Sequence, residues 1–324
     1  ASLLNQGGFK RDRIKELAKE FVEIGVKAVV LIGGGEPMAH PEFGTLVDYF
    51  YENDIHVGVT SNGTLIDKYA NSLANHTKWV RISVDAGSEE VFQQYRPHAS
   101  GKSQFNKVID GMKILSKSRK TKLGFSFLVL EKVGADKKYN EKGQNFVETN
   151  ATDIFKAAKL AKEIGCDYFE VKPSFDPFHF LNDTSALMSN IIKDELNKSA
   201  YLEDENFKII SPYTLSKTME GEKKQIKDYS RCLTAEMRTV LSPSGAYVCP
   251  YHRGNNNLKI GDPNTESLKE IWYGKTRKDI MKSLDPRKHC EFHCIRHNTN
   301  KVLEKFYDKS PTNEIVEKEY DRFV

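Results

Sequence analysis

Short apolar runs alternate with longer amphipathic segments from residue 9 to residue 173, and this alternation restricts the fold more than any other feature. Residues 9–24 repeat apolar side chains at helical spacing and end at Gly25, which is typical of a helix C-terminus. Strands are predicted at 28–32, 56–60, 79–85, 123–130 and 168–172, with helices at 42–53, 105–116 and 153–164 between them. This order predicts an α/β fold with a parallel sheet that helices cover on both faces.

The sequence changes in character near residue 176 and again near residue 231. Residues 176–230 are polar and rich in Lys, and only 185–198 is predicted as a helix. Beyond them, residues 237–249 predict a β-hairpin around a Pro-Ser-Gly turn, with helices at 267–273 and 276–284. We therefore predict three parts, which are 1–175, a connector at 176–230, and a small α+β module at 231–324.

Charge and hydropathy exclude two classes of partner. Lys plus Arg is 49 and Asp plus Glu is 45, and a net charge of +4 spread over the whole chain does not predict a nucleic-acid surface. The longest apolar run, 28–32, is too short to cross a bilayer. The chain begins at Ala1 with no visible signal peptide, and its five cysteines are too few for a disulfide scaffold. We expect a cytoplasmic protein that binds neither nucleic acid nor membranes.

The sharpest local motif is Gly33-Gly34-Gly35-Glu36-Pro37, directly after the first predicted strand. Glycines let the backbone come close to a ligand, and Glu36 stands at the carboxyl end of a strand, where α/β folds bind ligands. A carboxylate there can pair with an ammonium group. The other interpretation is a tight strand-to-helix turn. The spacing fits neither a P-loop nor a dinucleotide fingerprint.

Polar pairs also end three other predicted strands. Ser61-Asn62 follows 56–60, and Ser83 and Asp85 share one face of 79–85. The Asp85 carboxylate suits a ribose diol, although Ser and Asp at these positions also cap helices. Glu170 and Lys172 share a face of 168–172, where they either form a structural ion pair or face a substrate.

Taken together, these residues resemble the radical S-adenosylmethionine (SAM) enzymes. Gly34-Gly35-Glu36-Pro37 is similar to the family's GGEP motif, whose glutamate binds the SAM ammonium, and Ser61-Asn62 resembles the next strand end. Ser83-Val84-Asp85 resembles the segment that contacts the ribose, although Ala86 intervenes before the glycine. Arg96 is similar to an arginine near the SAM carboxylate. The resemblance implies a partial (β/α)6 TIM-like barrel that binds SAM at these residues.

One departure from the family is large. The C-x3-C-x2-C loop that holds the catalytic 4Fe–4S cluster is missing, because residues 1–165 contain no cysteine. We expect the first strand and this loop to precede Ala1. The alternative is a natural loss of the cluster and of radical chemistry.

Four of the five cysteines, Cys232, Cys249, Cys290 and Cys294, fall in the last third of the chain. Four thiolates suffice for a zinc ion or a 4Fe–4S cluster, and spacing alone favours zinc. The arrangement of a cysteine, a hairpin, a helix and a final C-x3-C resembles the SPASM module, or its shorter twitch form, of radical SAM enzymes. The twitch form implies one auxiliary 4Fe–4S cluster. Cys166, before an apolar strand, is predicted to be a core residue.

The resemblance implies that a 5′-deoxyadenosyl radical removes hydrogen from a substrate, with an electron donor such as flavodoxin or ferredoxin. We expect a small polar metabolite, a sugar or aminocyclitol, that is oxidised, decarboxylated or epimerised. Candidate substrate contacts are Glu170, Lys172, Tyr251, His252 and Arg253. One alternative is a peptide-modifying radical SAM/SPASM maturase. Another is a zinc-stabilised barrel that binds SAM or a nucleotide without radical chemistry.

Overall fold

The computed structural model describes residues 7–117, 120–131, 148–175, 181–182, 184–307 and 322–323. The chain divides into two compact units, one comprising 1–29, 40–56 and 224–324, the other 30–39 and 57–223. The three-part division expected from composition stays a prediction. Within the described ranges, no helix is long and apolar enough to span a membrane.

The strands and helices follow the predicted alternation closely. The strands are β1 (Ala28–Leu31), β2 (His56–Ser61), β3 (Trp79–Ser83), β4 (Lys122–Leu128), β5 (Tyr168–Lys172), β6 (Lys208–Ile210), β7 (Val240–Ser242), β8 (Gly245–Tyr247) and β9 (Lys259–Gly261). The helices are α1 (Arg11–Glu23), α2 (Phe43–Glu52), α3 (Ile66–His76), α4 (Glu89–Tyr95), α5 (Phe105–Lys117), α6 (Ile154–Ile164), α7 (Ala186–Ala200), α8 (Tyr213–Met219), α9 (Leu233–Met237), α10 (Leu268–Tyr273), α11 (Lys275–Ser283), α12 (Pro286–His289) and α13 (His297–Tyr307).

Six strands form one sheet in the order β1-β2-β3-β4-β5-β6, and the neighbours from β2 to β6 pair in parallel. Ser83, Ser126 and Glu170 are aligned across β3, β4 and β5. The carboxyl ends of successive strands therefore meet at one edge, as in a partial (β/α) barrel. The predicted parallel sheet is confirmed.

The two faces of this sheet differ sharply in polarity. One face is apolar and fully buried, with Val59, Ile82, Phe125 and Phe169 all at 0% exposure. Helix α6 packs against β4 and β5. The opposite face, called here the polar face, carries the alternate side chains of the same strands, which are Thr60, Arg81, Ser83, Ser126, Glu170 and Lys172. This alternation turns charged groups away from the helices.

Strand β6 was not predicted, because residues 176–230 show no strand pattern. Its three residues pair in parallel with Tyr168–Glu170 of β5, and Lys208 and Ile210 are exposed. A short strand with exposed side chains has too few apolar positions to produce a period of two. The pairing therefore comes from the neighbouring strand rather than from local sequence.

The unit that comprises 1–29, 40–56 and 224–324 contains an antiparallel sheet in the order β7-β8-β9, which includes the predicted hairpin. Its core joins Leu17 of α1 to Ala246, Val248, Ile260 and Ile271. Helix α10 begins with a capping box in which Ser267 and Glu270 bond each other's backbone N–H groups.

Candidate functional site

The glycine-rich turn and the end of β2 are joined by the Glu36 carboxylate. Glu36 Oε1 accepts hydrogen bonds from Ser61 Oγ at 2.8 Å and Met38 N at 3.0 Å, and Oε2 accepts from Asn62 N at 2.7 Å. A carboxylate offers about four acceptor positions, so one remains on this half-buried group. The structure thus brings together Glu36, Ser61 and Asn62, beside the exposed Gly34 and Gly35.

Asp85 follows β3 and is 1% exposed, with a left-handed φ of 59°. Its Oδ2 accepts from Arg96 Nε at 2.6 Å, and its Oδ1 accepts from Leu128 N at 2.7 Å. Burial raises the pKa of Asp85, and the Arg96 charge and the Leu128 N–H oppose that effect. Both carboxylate oxygens are therefore engaged within the protein, and Asp85 holds Arg96 in place.

Three charged side chains form a compact group on the polar face. Arg81 Nη1 donates to Glu170 Oε2 at 2.9 Å, and Lys172 Nζ lies 3.7 Å from the same oxygen. Burial and the Arg81 charge lower the pKa of Lys172 to about 8, although Glu170 and Asp85 oppose this. Lys172 can therefore exchange a proton near neutral pH.

Two aromatic rings cover the beginnings of the strands on the same face. A Cβ on Gly58 would overlap the Trp79 ring, and a Cβ on Gly124 would overlap the Tyr168 ring. Glycine at these two positions therefore makes room for the rings beside the neighbouring strands. Burial raises the pKa of Tyr168 to about 12, so its hydroxyl stays neutral.

The four C-terminal cysteines interact with one another within a single unit. Burial and the nearby Cys249, Cys232 and Cys294 all raise the pKa of Cys290. Burial likewise raises the pKa of Cys249 to about 11. Buried thiols at short range stay protonated unless a cation neutralises them, and metal ligation supplies that cation.

Each of the four sulfurs has a polar donor or partner close by. Arg296 N donates to Cys294 Sγ at 3.4 Å, and Asn300 Nδ2 donates to Cys232 Sγ at 3.6 Å. Cys249 is contacted by the backbone N–H groups of Tyr251 and His252. The remaining sulfur, Cys290 Sγ, lies 3.4 Å from His252 Nε2. Donors of this kind stabilise thiolates.

The predicted contacts after Cys249 belong to the surroundings of these sulfurs. The Tyr251 ring stacks on Phe292 with centroids 4.6 Å apart, and Tyr251 Oη accepts from Ile295 N at 3.3 Å. His252 is buried, and Arg253 is half-buried. A substrate role for Tyr251, His252 and Arg253 stays a prediction.

Four cysteines are the number of ligands that either one zinc ion or one 4Fe–4S cluster needs. Across the described ranges, no group of three or more His, Cys, Asp and Glu side chains is arranged to hold one metal ion. Thiolates around one zinc ion lie about 2.3 Å from it, which draws the sulfurs together. In an iron–sulfur cluster each sulfur binds a different iron, so the sulfurs stand wider apart.

Residues 9–130 match the family model of the Radical SAM superfamily. This segment is therefore similar to radical SAM domains, which agrees with the resemblance seen in the sequence. Members of that family use SAM and a 4Fe–4S cluster. The matched segment contains no cysteine, so it offers no thiolate for the catalytic cluster of that family.

Comparisons with known proteins found relatives of similar sequence and solved structures of similar fold. The AdoMet-dependent heme synthase of Methanosarcina barkeri is 23% identical over 167 residues, which are 51% of this chain and 42% of that protein. The chain thus spans less than half of this relative's length. The structure of anSMEcpe with bound AdoMet and Kp18Cys peptide has a TM-score of 0.57 at 17% identity, covering 86% of this chain and 75% of that one. The structure of Streptococcus suis SuiB bound to precursor peptide SuiA also has a TM-score of 0.57, at 15% identity, covering 89% of this chain and 66% of that one. The partial-barrel fold is confirmed.

Two candidate residues, Arg81 on the polar face and the buried Lys227 near the four cysteines, were not predicted from the sequence. Arg81 lies on the same face of β3 as Ser83, so the period-two alternation contained the signal for it. Lys227 lies in a polar segment without periodicity, and no sequence signal distinguishes it from the surrounding lysines.

Proposed function

We propose that this chain is the SAM-binding and auxiliary-cluster part of a radical SAM enzyme whose substrate is a small polar metabolite, a sugar or aminocyclitol. The observation that carries the substrate class is the polar face, where Arg81, Glu170 and Lys172 crowd together. Charged donors and acceptors at this density suit several hydroxyl or amino groups on a compact ring. Oxidation, decarboxylation and epimerisation are the proposed outcomes.

The Glu36 carboxylate supports the proposed binding of SAM. Its remaining acceptor position suits the SAM ammonium, while Ser61 and Asn62 N hold the carboxylate in one orientation. We propose that Gly34, Gly35, Ser83 and Asp85 line the rest of this site, with Arg96 positioned by Asp85. SAM cleaved at a reduced cluster supplies the hydrogen-abstracting radical in this family.

On the substrate side, the chain's own residues orient hydroxyl groups and move a proton. The Glu170 carboxylate accepts a hydroxyl hydrogen, and Arg81 and Lys172 donate to ring oxygens. Because the pKa of Lys172 is lowered to about 8, the neutral amine that can accept the proton lost by an alcohol on oxidation becomes populated as the pH rises toward 8.

We further propose that Cys232, Cys249, Cys290 and Cys294 hold one auxiliary 4Fe–4S cluster, and that the enzyme uses an electron donor such as flavodoxin or ferredoxin. The nearness of the cysteines to one another and the N–H donors to sulfur support a thiolate-bound metal centre, and the resemblance to the twitch module favours the cluster over zinc. Anaerobic reconstitution followed by iron, sulfide and zinc analysis tests it, with about four irons per chain expected. Cys290→Ser should lose iron, and the core variant Cys166→Ser should keep it. Reconstituted protein that contains zinc but no iron would overturn the assignment of an iron–sulfur cluster to these cysteines.

A second candidate substrate is a peptide, because two similar structures contain bound peptides. Thermal-shift titrations with SAM present separate the two classes. A sugar or aminocyclitol should raise the melting temperature of the wild-type chain, and Lys172→Met should abolish that rise. A rise with peptides alone would favour the peptide-modifying alternative.

A further inference from the structure

Lys227 is a buried lysine that lies five residues before Cys232 and outside every motif named above. The residue is 3% exposed. Its Nζ donates to Gln225 O and Gln225 Oε1, both at 2.9 Å, and to Phe292 O at 2.8 Å. All three ammonium hydrogens are therefore used, and every acceptor is electrically neutral.

No carboxylate pairs with Lys227 among the residues that the structure describes, although ion pairs are common elsewhere in the chain. Burial lowers the pKa of Lys227, and the groups that oppose this are the thiols of Cys294 and Cys290. A buried charge is strongly unfavourable unless an opposite charge accompanies it. The anionic groups available to Lys227 are thus the cysteine sulfurs once they are ionised.

The hydrogen bonds of Lys227 also fix its place beside the final C-x3-C. Gln225 Oε1, which accepts from Lys227, accepts from Cys294 N at 3.1 Å as well. Gln225 N donates to Glu291 O at 2.7 Å. The ammonium group is held against residues 291–294 by both ends of Gln225 and by Phe292 O.

We propose that Lys227 is the buried counter-charge of an anionic iron–sulfur cluster held by the four cysteines, and that it makes this cluster easier to reduce. The inference rests on the proposed auxiliary cluster. Four thiolates around an iron–sulfide core make the centre anionic, and accepting one electron adds negative charge. A fixed cation in a dry site stabilises the reduced form more than the oxidised form, so it raises the reduction potential.

The test compares Lys227→Met, which removes the charge, with Lys227→Arg, which keeps it. Lys224→Met is the matched control, because Lys224 is exposed, pairs with Glu291 and lies on the same segment. EPR-monitored redox titration of the reconstituted chains measures the potential of the cluster. We expect Lys227→Met to lower the reduced-to-oxidised ratio at fixed potential at least tenfold, ~59 mV for one electron. Lys227→Arg and Lys224→Met should stay within about twofold of wild type. An unchanged potential in Lys227→Met overturns the proposal.

A second measurement separates the counter-charge from a purely structural clamp. The rise in melting temperature on cluster loading is compared between wild type and Lys227→Met. The counter-charge predicts a larger rise in wild type, because Lys227 gains its anionic partner only on loading. Equal rises, or a Lys227→Met chain that fails to fold without metal, mean a clamp and overturn the proposal. If wild-type protein takes up zinc and no iron, the proposed cluster fails on its own, independently of any Lys227 variant.

Discussion

Replacing Asp85 by Asn tests whether this residue acts by holding Arg96. Asn keeps the shape of the side chain, tolerates the left-handed φ of 59° and retains an oxygen to accept the Leu128 N–H. The change therefore removes the negative charge and the oxygen that face Arg96, and it leaves the contact with Leu128 in place. A loss of stability in this variant reports on the ion pair itself.

The magnitude follows from two contacts. Arg96 Nε donates to Asp85 Oδ2 at 2.6 Å, and Arg96 Nη2 lies 2.5 Å from the same oxygen. With the Asn oxygen on Leu128 N, the Asn NH2 group faces these two donors, so both contacts are lost, at roughly 1 kcal/mol each once water replaces them. We therefore expect about 2 kcal/mol in total, below the roughly 3–5 kcal/mol of a fully buried pair, because the Arg96 side chain is 30% exposed and can rehydrate.

Chemical unfolding of the metal-free chain at neutral pH measures this value, and thermal melting should show a fall of about 4–8 °C. A double-mutant cycle with Arg96→Met isolates the pair, with an expected coupling of about 2 kcal/mol. Asp85→Ala is the harsher comparison, since it also leaves Leu128 N without its acceptor. A coupling below about 0.5 kcal/mol, with a tenfold loss of SAM affinity in Asp85→Asn, would refute the positioning role. That result would favour the direct ribose contact expected from the sequence.

Three further changes have defined outcomes. Glu36→Gln should weaken SAM binding about tenfold or more in calorimetry, because a charge-assisted bond to the ammonium becomes neutral, whereas the exposed Glu163→Gln should not. The pKa of Lys172 is about 8 in the folded chain and 10.5 ordinarily, so between these pH values the unfolded chain binds more protons. As the pH rises through that window, the free energy of unfolding of wild type should increase by up to roughly 3 kcal/mol relative to Lys172→Met. If urea titrations showed this difference in unfolding free energy falling instead, the assignment would be contradicted. Gly124→Ala should cost about 1–3 kcal/mol of unfolding free energy by crowding Tyr168, and adding Tyr168→Ala should recover part of it; no recovery would place the strain elsewhere.

The sheet was predictable because its strands carry their own signal. Val59, Ile82 and Phe169 are buried by the helix layer, and such positions produce apolar runs that sequence alone reveals. The proximity of Glu36 to Ser61 followed from the rule that parallel strands end at one edge. These predictions depended on local sequence and on general topology.

The partners of individual side chains were not predictable in this way. The carboxylate of Asp85 is shared between Arg96 and Leu128 N, which lies 43 residues away in sequence. Lys227 is buried against Phe292 O, 65 residues away. Such contacts depend on how distant segments pack, and neither periodicity nor motif spacing encodes them. For that reason the sequence could place Glu36 near Ser61 and Asn62 but left open which groups each side chain contacts.

The stacking of side chains along the polar face sets an order in which a ligand meets them. Trp79 and Tyr168 occupy the first positions of β3 and β5, whereas Arg81, Glu170 and Lys172 follow toward the carboxyl ends. A molecule that enters from the carboxyl edge reaches charged groups first and aromatic rings last. The charged groups thus lie nearer the carboxyl ends of the strands, and the aromatic rings lie nearer the amino ends. The two groups are not independent, because the Arg81 guanidinium lies 5.8 Å from the centre of the Trp79 ring, so trimming Trp79 would also remove a contact of Arg81.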